Sequence, residues 1–220
     1  NTHHNYLNNN LANTASGYAY YVNSASVVDL SDYNNLFTNG SVLAYYTSDA
    51  ADLAALQATS GMDAASKSSA PAFVSTHDLH TSNIDLYHTG IPVAGVTTDI
   101  DLDPRHALTP CIGADEFVPP TVDAGIIKIN TPVSPVGGGA QTIKVSLRNF
   151  GLDPLTSVTI GWSVDGVLGT PFAWSGSLNS GAVLDSIAIG SYTFSSGASE
   201  IMAWTSLPNA TADPIAANDT

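Results

Sequence analysis

His3-His4-Asn5-Tyr6-Leu7-Asn8-Asn9-Asn10-Leu11-Ala12-Asn13, with its continuation to Asn39, is the stretch whose reading decides how the first half of the chain folds. Ten of the first forty residues are Asn, set between short apolar runs such as Tyr18 to Val22 and Val27 to Leu30. Asn tolerates the left-handed backbone region that tight turns demand, and it can stack with Asn in a neighbouring turn. Short strands separated by such turns predict a β-solenoid, in which each coil covers the edge of the one before. The competing reading is an Asn-rich loop region, because the alternation at Tyr6, Asn8 and Leu7, Leu11 is brief.

Working outward, Ser48 followed by Asp49 and Asp52 reads as a helix N-cap with acids in the first turn. Ala50 to Thr59 is then the helix and Gly61 its stop. Pro71-Ala72-Phe73-Val74, Ile84-Asp85-Leu86, Gly90-Ile91-Pro92-Val93 and Ile112-Gly113 are brief apolar pieces broken by Pro and Gly. Such irregular chain suits a cap over the last coil, which would otherwise expose unpaired backbone groups. Pro119-Pro120 marks a boundary. After it, strands are expected at Gly125 to Ile129, Gln141 to Arg148, Ser157 to Val164, Gly166 to Ala173, Ala182 to Ile189 and Glu200 to Thr205. About seven short strands over a hundred residues predict a β-sandwich, with Ile143, Val145, Leu147, Val158, Ile160 and Trp162 facing inward. Asp165-Gly166 suits a tight hairpin, and Gly137-Gly138-Gly139, with no following Lys or helix, reads as another turn rather than a phosphate loop. The expected organisation is terminal coils and cap over 1–118, a linker at 119–122 and the sandwich over 123–220.

The 220 residues carry five Lys plus Arg against nineteen Asp plus Glu, a formal charge of -14. No cluster of cations exists to meet phosphate, so nucleic acid and anionic membranes are excluded as partners, while cation binding is favoured. No run reaches the roughly eighteen apolar residues of a membrane span, so direct membrane insertion is not expected. The lone Cys111 excludes an internal disulfide framework. With neither an initiator Met nor a signal-peptide core at the start, and no terminating signal at Asn218-Asp219-Thr220, the chain is expected to be a segment of something longer.

The best ligand candidates are Asp99, Asp101 and Asp103, at alternating spacing, with Asp115 and Glu116 a little later. Together they offer hard oxygen donors of the kind calcium takes, and calcium is the only cofactor expected. The alternative is that these acids cap turns and pair with Arg105. His3, His4, His77 and His80 lack a recognised zinc spacing and are expected to hydrogen-bond within turns or lie exposed. Asp29 and Asp32 are the pair that would serve a polysaccharide lyase or hydrolase, but a lyase also needs a basic group and the first hundred residues hold only Lys67. Tyr18, Tyr20, Tyr21, Tyr45 and Tyr46 form either a sugar-stacking platform or the packing of a coil. Trp162 is expected in the sandwich core, Trp174 and Trp204 less firmly placed.

Ser31-Asp32-Tyr33-Asn34-Asn35-Leu36, Phe73-Val74-Ser75 with Asp78-Leu79-His80, Asp99-Ile100-Asp101-Leu102-Asp103-Pro104-Arg105 and Ile112-Gly113-Ala114-Asp115-Glu116-Phe117 resemble, in order and spacing, one known group. It is the C-terminal part of bacterial right-handed parallel β-helix repeat proteins of the pectate-lyase-like superfamily. Leu102 stands where that pattern has Gly, and Cys111 where it has Asp. Asp123-Ala124-Gly125, Leu147-Arg148-Asn149-Phe150-Gly151, Trp162-Ser163-Val164-Asp165-Gly166, Gly181 and Asp213 through Asn218-Asp219 resemble a CARDB-type immunoglobulin-like adhesion module. The resemblance implies an all-β chain: the end of a right-handed parallel β-helix with its capping region, followed by an immunoglobulin-like β-sandwich. It also implies a bacterial extracellular or cell-surface location of the type IX-secreted kind, where Asp185-Ser186-Ile187 resembles an O-glycosylation site at Ser186. The function expected is a non-catalytic structural or adhesive segment, its partners other copies, other surface proteins and glycans. Two alternatives are a subunit of an extracellular filament or sheath, and the C-terminal portion of a polysaccharide lyase or hydrolase whose active site lies upstream.

Overall fold

In a computed structural model describing residues 3–135, 138–195 and 197–220, the short strands of the Asn-rich stretch pair with strands one repeat later, not with their sequence neighbours. β1 (His4–Leu7), β2 (Asn10–Asn13) and β3 (Tyr20–Val22) run parallel to β4 (Val28–Asp32), β5 (Asn35–Thr38) and β6 (Ala44–Tyr46) respectively. His4 faces Val28, Asn10 faces Asn35 and Tyr20 faces Ala44, a constant offset of 24 or 25 residues. The turns repeat with the strands: Asn8 and Tyr33, 25 positions apart, both take the left-handed backbone, with φ of 57° and 56°. Alternation along β3 and β6 turns Tyr20, Val22, Ala44 and Tyr46 inward, where they join Val28, Leu36, Leu43 and Leu56 in one core.

Two ranks of Asn tie the layers together. Asn34, 1 % exposed, accepts on Oδ1 from the backbone N–H (2.9 Å) and Nδ2 (3.0 Å) of Asn9. Its Nδ2 donates to the Tyr6 carbonyl at 2.9 Å. Beside it, Nδ2 of Asn35 donates to Oδ1 of Asn10 (2.8 Å), and its Oδ1 accepts from the Ser69 N–H (2.9 Å). Lys67 adds a third layer as a single parallel bridge to Asn35.

The repeat then breaks. β7 (Asp49–Ala50) folds back antiparallel to β6, and α1 (Leu53–Ser60) follows, burying Leu56. The helix begins later than its sequence suggests: Asp52, not Ser48, is the N-cap and accepts from the Ala55 N–H at 2.8 Å. Asp49 is already committed to β7, and a strand residue cannot lie in the first helical turn. Gly61 ends the helix with a φ of 71°, where a side chain would be strained. β8 (Phe73–Ser75) and β9 (Asp78–Thr81) form an antiparallel hairpin. Residues 82–118 contain no strand.

The chain divides into two units, Asn1–Val118 and Pro119–Thr220. Pro120 and Thr121, expected in a linker, are bound into the second unit: their carbonyls accept from the N–H groups of Leu152 (3.0 Å) and Asp153 (2.8 Å). That unit has one sheet of β10 (Ala124–Thr131), β11 (Gly139–Asn149) and β15 (Val183–Phe194). In the other, β12 (Leu155–Val164) is joined by β13 (Val167–Leu168), β14 (Phe172–Leu178) and β16 (Ile201–Ser206). Every pairing is antiparallel. Ile143, Val145 and Leu147 from the first sheet and Val158, Ile160 and Trp162 from the second belong to one buried cluster. The described residues are thus mostly strand with a single α-helix, and no closed barrel forms.

Asp165 and Gly166 make the two-residue β12–β13 turn with φ of 50° and 77°, the pair of positive values such a hairpin requires. The strand expected across Gly166 to Ala173 is split at Gly169-Thr170-Pro171. Proline lacks an N–H for the ladder, and the indole of Trp162 lies against Gly169, where a Cβ would come within 2.0 Å of it. Of the expected Gly137-Gly138-Gly139 turn, Gly137 lies outside the described residues.

Asp123 supplies a pH test of the second unit. It is 2 % exposed, with Oδ2 accepting from Nδ2 of Asn218 (3.0 Å) and Oδ1 unpartnered. Burial, reinforced by Asp213 and Asp219, pushes its carboxyl from 3.8 to about 6. The folded state therefore holds this proton more tightly than the unfolded chain does. The resulting penalty is absent below pH about 4 and complete above about 6. Lowering the pH from 7 to 5 should recover part of a contribution of about 1–2 kcal/mol, after allowance for solvent screening. Asp123→Asn should flatten that dependence and raise stability at pH 7, measured by denaturation followed through tryptophan fluorescence. An unchanged pH profile in the variant would refute the assignment.

Candidate cation-binding loop

Residues 99–103 form a tight loop closed from within. The Asp99 N–H donates to the Asp103 carbonyl (3.0 Å), while Oδ1 of Asp99 accepts from the N–H groups of Asp101 and Asp103 (2.9 Å each). Its Oδ2 accepts from the Glu116 N–H at 2.9 Å, joining the loop to the run Ile112 to Phe117. Burial raises the Asp99 carboxyl, but these three N–H groups and the Arg105 charge outweigh it and hold the group below its usual value. Leu102 sits at φ 71° in the position where the resemblance has Gly, so the left-handed turn survives with a side chain on it, 78 % exposed. Such a conformation costs about 1–2 kcal/mol for a residue with a Cβ.

Arg105 fastens the same run from the other side. Nη1 donates to the Cys111 carbonyl (3.1 Å) and Nη2 to those of Gly113 and Ala114 (2.8 Å each). The nearest carboxylate to its guanidinium is Glu116, at 3.6 Å, rather than the Asp residues of the loop. Glu116 also accepts from the Cys111 N–H at 3.0 Å. Cys111 itself is fully buried, and burial pushes its thiol up to about 11, which keeps it protonated and unreactive at neutral pH.

The four Asp residues proposed from sequence thus separate by role. Asp99 is a structural acceptor and Asp103 points to solvent. Asp101 and Asp115 instead converge with His80: one ring nitrogen and one carboxylate oxygen from each Asp lie within 4.8 Å of one another. On β9, Asp78 and His80 are two residues apart and so share a face. Oδ1 of Asp78 meets Nδ1 of His80, and Oδ2 of Asp101 meets Nε2, each at 2.5 Å. These bonds, the one to Asp101 foremost, push His80 up to about 9. Burial raises Asp115, whose Oδ2 has only the Thr81 N–H at 3.3 Å. His80 is the residue that sequence spacing overlooks, since its partners lie 21 and 35 positions away.

The remaining candidates lie elsewhere. Asp29, exposed on β4, meets Nδ1 of His3 at 2.7 Å, whereas Oδ1 of Asp32 accepts from the N–H groups of Tyr33 (2.9 Å) and Ala65 (2.7 Å) as a turn cap. The five tyrosines divide by strand alternation. Tyr20 and Tyr46 are core, while Tyr21 and Tyr45 stack outside with ring centres 4.6 Å apart and Tyr18 beside them. An open groove of about 660 Å³ runs beside β2 and β5, lined by Phe37, Phe73, Leu79, Thr14 and Asn39 among others, all uncharged. Ser186 lies exposed on β15 with φ 61°, at an irregularity anchored by Asp185 accepting from the Ser146 hydroxyl at 2.6 Å.

Replacing Asp99 by Ala removes the acceptor of two loop N–H groups and of the Glu116 N–H at once, and should destabilise the first unit by about 2–3 kcal/mol. Asp103→Ala should cost less than about 0.5 kcal/mol. Hydrogen exchange at the Asp101, Asp103 and Glu116 amides would measure the difference, and equal effects of the two substitutions would contradict the roles assigned. Compared with protein-family models, curated proteins and solved structures, the chain finds no match.

Proposed function

We propose that the chain is a non-catalytic structural or adhesive segment of a large secreted or cell-surface bacterial protein. In this reading the first unit is the closing coils and cap of a right-handed parallel β-helix, and the second is an immunoglobulin-like β-sandwich of the CARDB type. The observation that carries the reading is the constant offset of 24 or 25 residues across three parallel strand pairs, ended by the antiparallel β7 and by α1. A repeat of one coil per offset is how a solenoid advances, and a reversal followed by a helix is how its last edge is covered. For the second unit, support comes from two antiparallel sheets sharing one core.

A scaffold role is supported by what the acids do. Asp32 and Asp99 are occupied by backbone N–H groups. General acid or base work needs a carboxyl free to exchange a proton with substrate. The charge of -14 favours neutral glycans and protein surfaces as partners over polyanions.

One feature favours the filament alternative. β1, β2 and β3 each pair on one side only among the described residues, and such open edges accept further strands, from more coils or from another copy. Electron microscopy of the purified chain decides between them: separate particles support a scaffold segment, and regular fibres support a filament subunit. Incubation with a panel of polysaccharides should give no new reducing ends or unsaturated products. Turnover abolished by Asp29→Ala or Asp32→Ala, with the melting temperature unchanged, would overturn the non-catalytic reading.

A further inference from the structure

We propose that His80, Asp101 and Asp115 form a binding site for a divalent transition metal ion such as zinc, with Asp78 positioning the imidazole. The three side chains come from β9, from the 99–103 loop and from the run Ile112 to Phe117, and one donor atom of each lies within 4.8 Å of the others. An ion bound there would cross-link three pieces of chain that otherwise meet through loops.

Asp115 supplies an observation independent of the clustering. It is only 6 % exposed, yet among the described residues its carboxyl receives a single N–H, from Thr81, at the long distance of 3.3 Å. A buried carboxylate so poorly supplied with donors depends on a positive charge beside it, a need that the His80 imidazole meets when protonated and that a bound metal ion would meet in its place. The orientation of His80 points the same way. A metal-bound imidazole characteristically has its second nitrogen held by a carboxylate, and Asp78 holds Nδ1 at 2.5 Å, which leaves Nε2 facing Asp101 and Asp115.

Donor chemistry selects the ion. One imidazole nitrogen and two carboxylate oxygens suit zinc, with water in the fourth position, whereas calcium takes six to eight oxygens. Asp99 is a poor addition to the oxygen set, because its two oxygens already accept three backbone N–H groups. Around zinc, ligand atoms sit roughly 3.3 Å apart, so the contact of 2.5 Å between Nε2 and Asp101 must open by about 1 Å. Asp101 is half exposed on a loop and is free to make that adjustment. The metal then replaces the proton that otherwise bridges the two groups.

The test is calorimetric titration of the full 220-residue chain, stripped with chelator and dialysed, with zinc chloride. One equivalent should bind saturably, with a rise in the melting temperature of the first unit. His80→Ala and Asp101→Asn should each weaken binding roughly tenfold or more, and Asp78→Asn by a smaller factor. Asp103→Ala and His88→Ala should leave it unchanged; the latter removes the stacked His88–His106 pair, in which two imidazoles approach at 4.3 Å. Asp101 is exposed, so its substitution keeps the test valid if His80→Ala folds poorly. X-ray absorption at the zinc edge should show nitrogen and oxygen ligands, with an imidazole signature and no sulfur. No saturable binding at millimolar zinc, or binding undiminished in both His80→Ala and Asp101→Asn, overturns the proposal. Binding lost only in His88→Ala, or displaced by equimolar calcium, does so equally.

Discussion

Asn34→Ala should destabilise the first unit by about 3–5 kcal/mol, among the largest effects of any single truncation there. Its amide lies between layers at 1 % exposure, and its removal strips partners from the Asn9 backbone N–H and the Tyr6 carbonyl together. The Ser31 hydroxyl and Asp63 carboxylate lose a donor as well, at 3.2 and 3.3 Å. Each buried group left unsatisfied costs about 1–3 kcal/mol, and water cannot replace the amide without a cavity that suits it. Asn34→Leu should do no better, because it restores volume and none of the hydrogen bonds. Asn39→Ala is the control. That residue is exposed and donates only to the Thr14 carbonyl, at 2.6 Å, so its loss should cost under about 1 kcal/mol. Hydrogen exchange at the Asn35 amide, which donates to the Asn9 carbonyl across the layers, reads the effect where it occurs. If Asn34→Ala protected that amide as well as the wild type does, the Asn rank would not be what holds the layers in register.

Trp162→Ala should cost the second unit about 3–5 kcal/mol, the range for removing a buried aromatic side chain. Trp162 is 6 % exposed, and its indole lies against Gly169 and Gly190, where a Cβ would come within 2.0 and 2.5 Å of the ring. Its Nε1–H donates to the Thr170 carbonyl at 3.0 Å, so both the apolar body and the polar edge of the ring are used. Gly190→Ala should therefore destabilise through a clash, by about 1–3 kcal/mol, and much of that cost should vanish in the Trp162→Ala background, which has made room. All three tryptophans fall in this unit, so Trp174 and Trp204 still report unfolding by fluorescence when Trp162 is absent. Additive effects of the two substitutions would show that ring and glycine do not share the space assigned to them.

Several of these features are legible in the sequence because their causes are local. The alternation Ile143, Val145, Leu147 and Val158, Ile160, Trp162 records which face of β11 and β12 is buried, since a strand turns every second side chain to the same side. Asp165-Gly166 specifies its turn through the backbone freedom of two adjacent residues, and Gly61 ends α1 for the same reason. The change of pattern at Pro119 coincides with the division between the units.

What the sequence alone determined, then, is strand alternation, the tight turns, the helix stop and the change of unit, each set by steric preferences of a few consecutive residues. Only the tertiary structure decided that Asn9 meets Asn34, that Asp52 and not Ser48 caps α1, that Arg105 holds carbonyls instead of the loop acids, and that His80 joins Asp101 and Asp115. These contacts join residues made neighbours by the path of the chain. Asp49 lost its place in the helix because β6 offered its backbone a strand partner, and Asp99 became the acceptor of three backbone N–H groups from two separate stretches of chain. A donor or acceptor leaving water goes to whichever partner the fold brings within about 3 Å, and that choice depends on three-dimensional distance, which residue spacing does not encode.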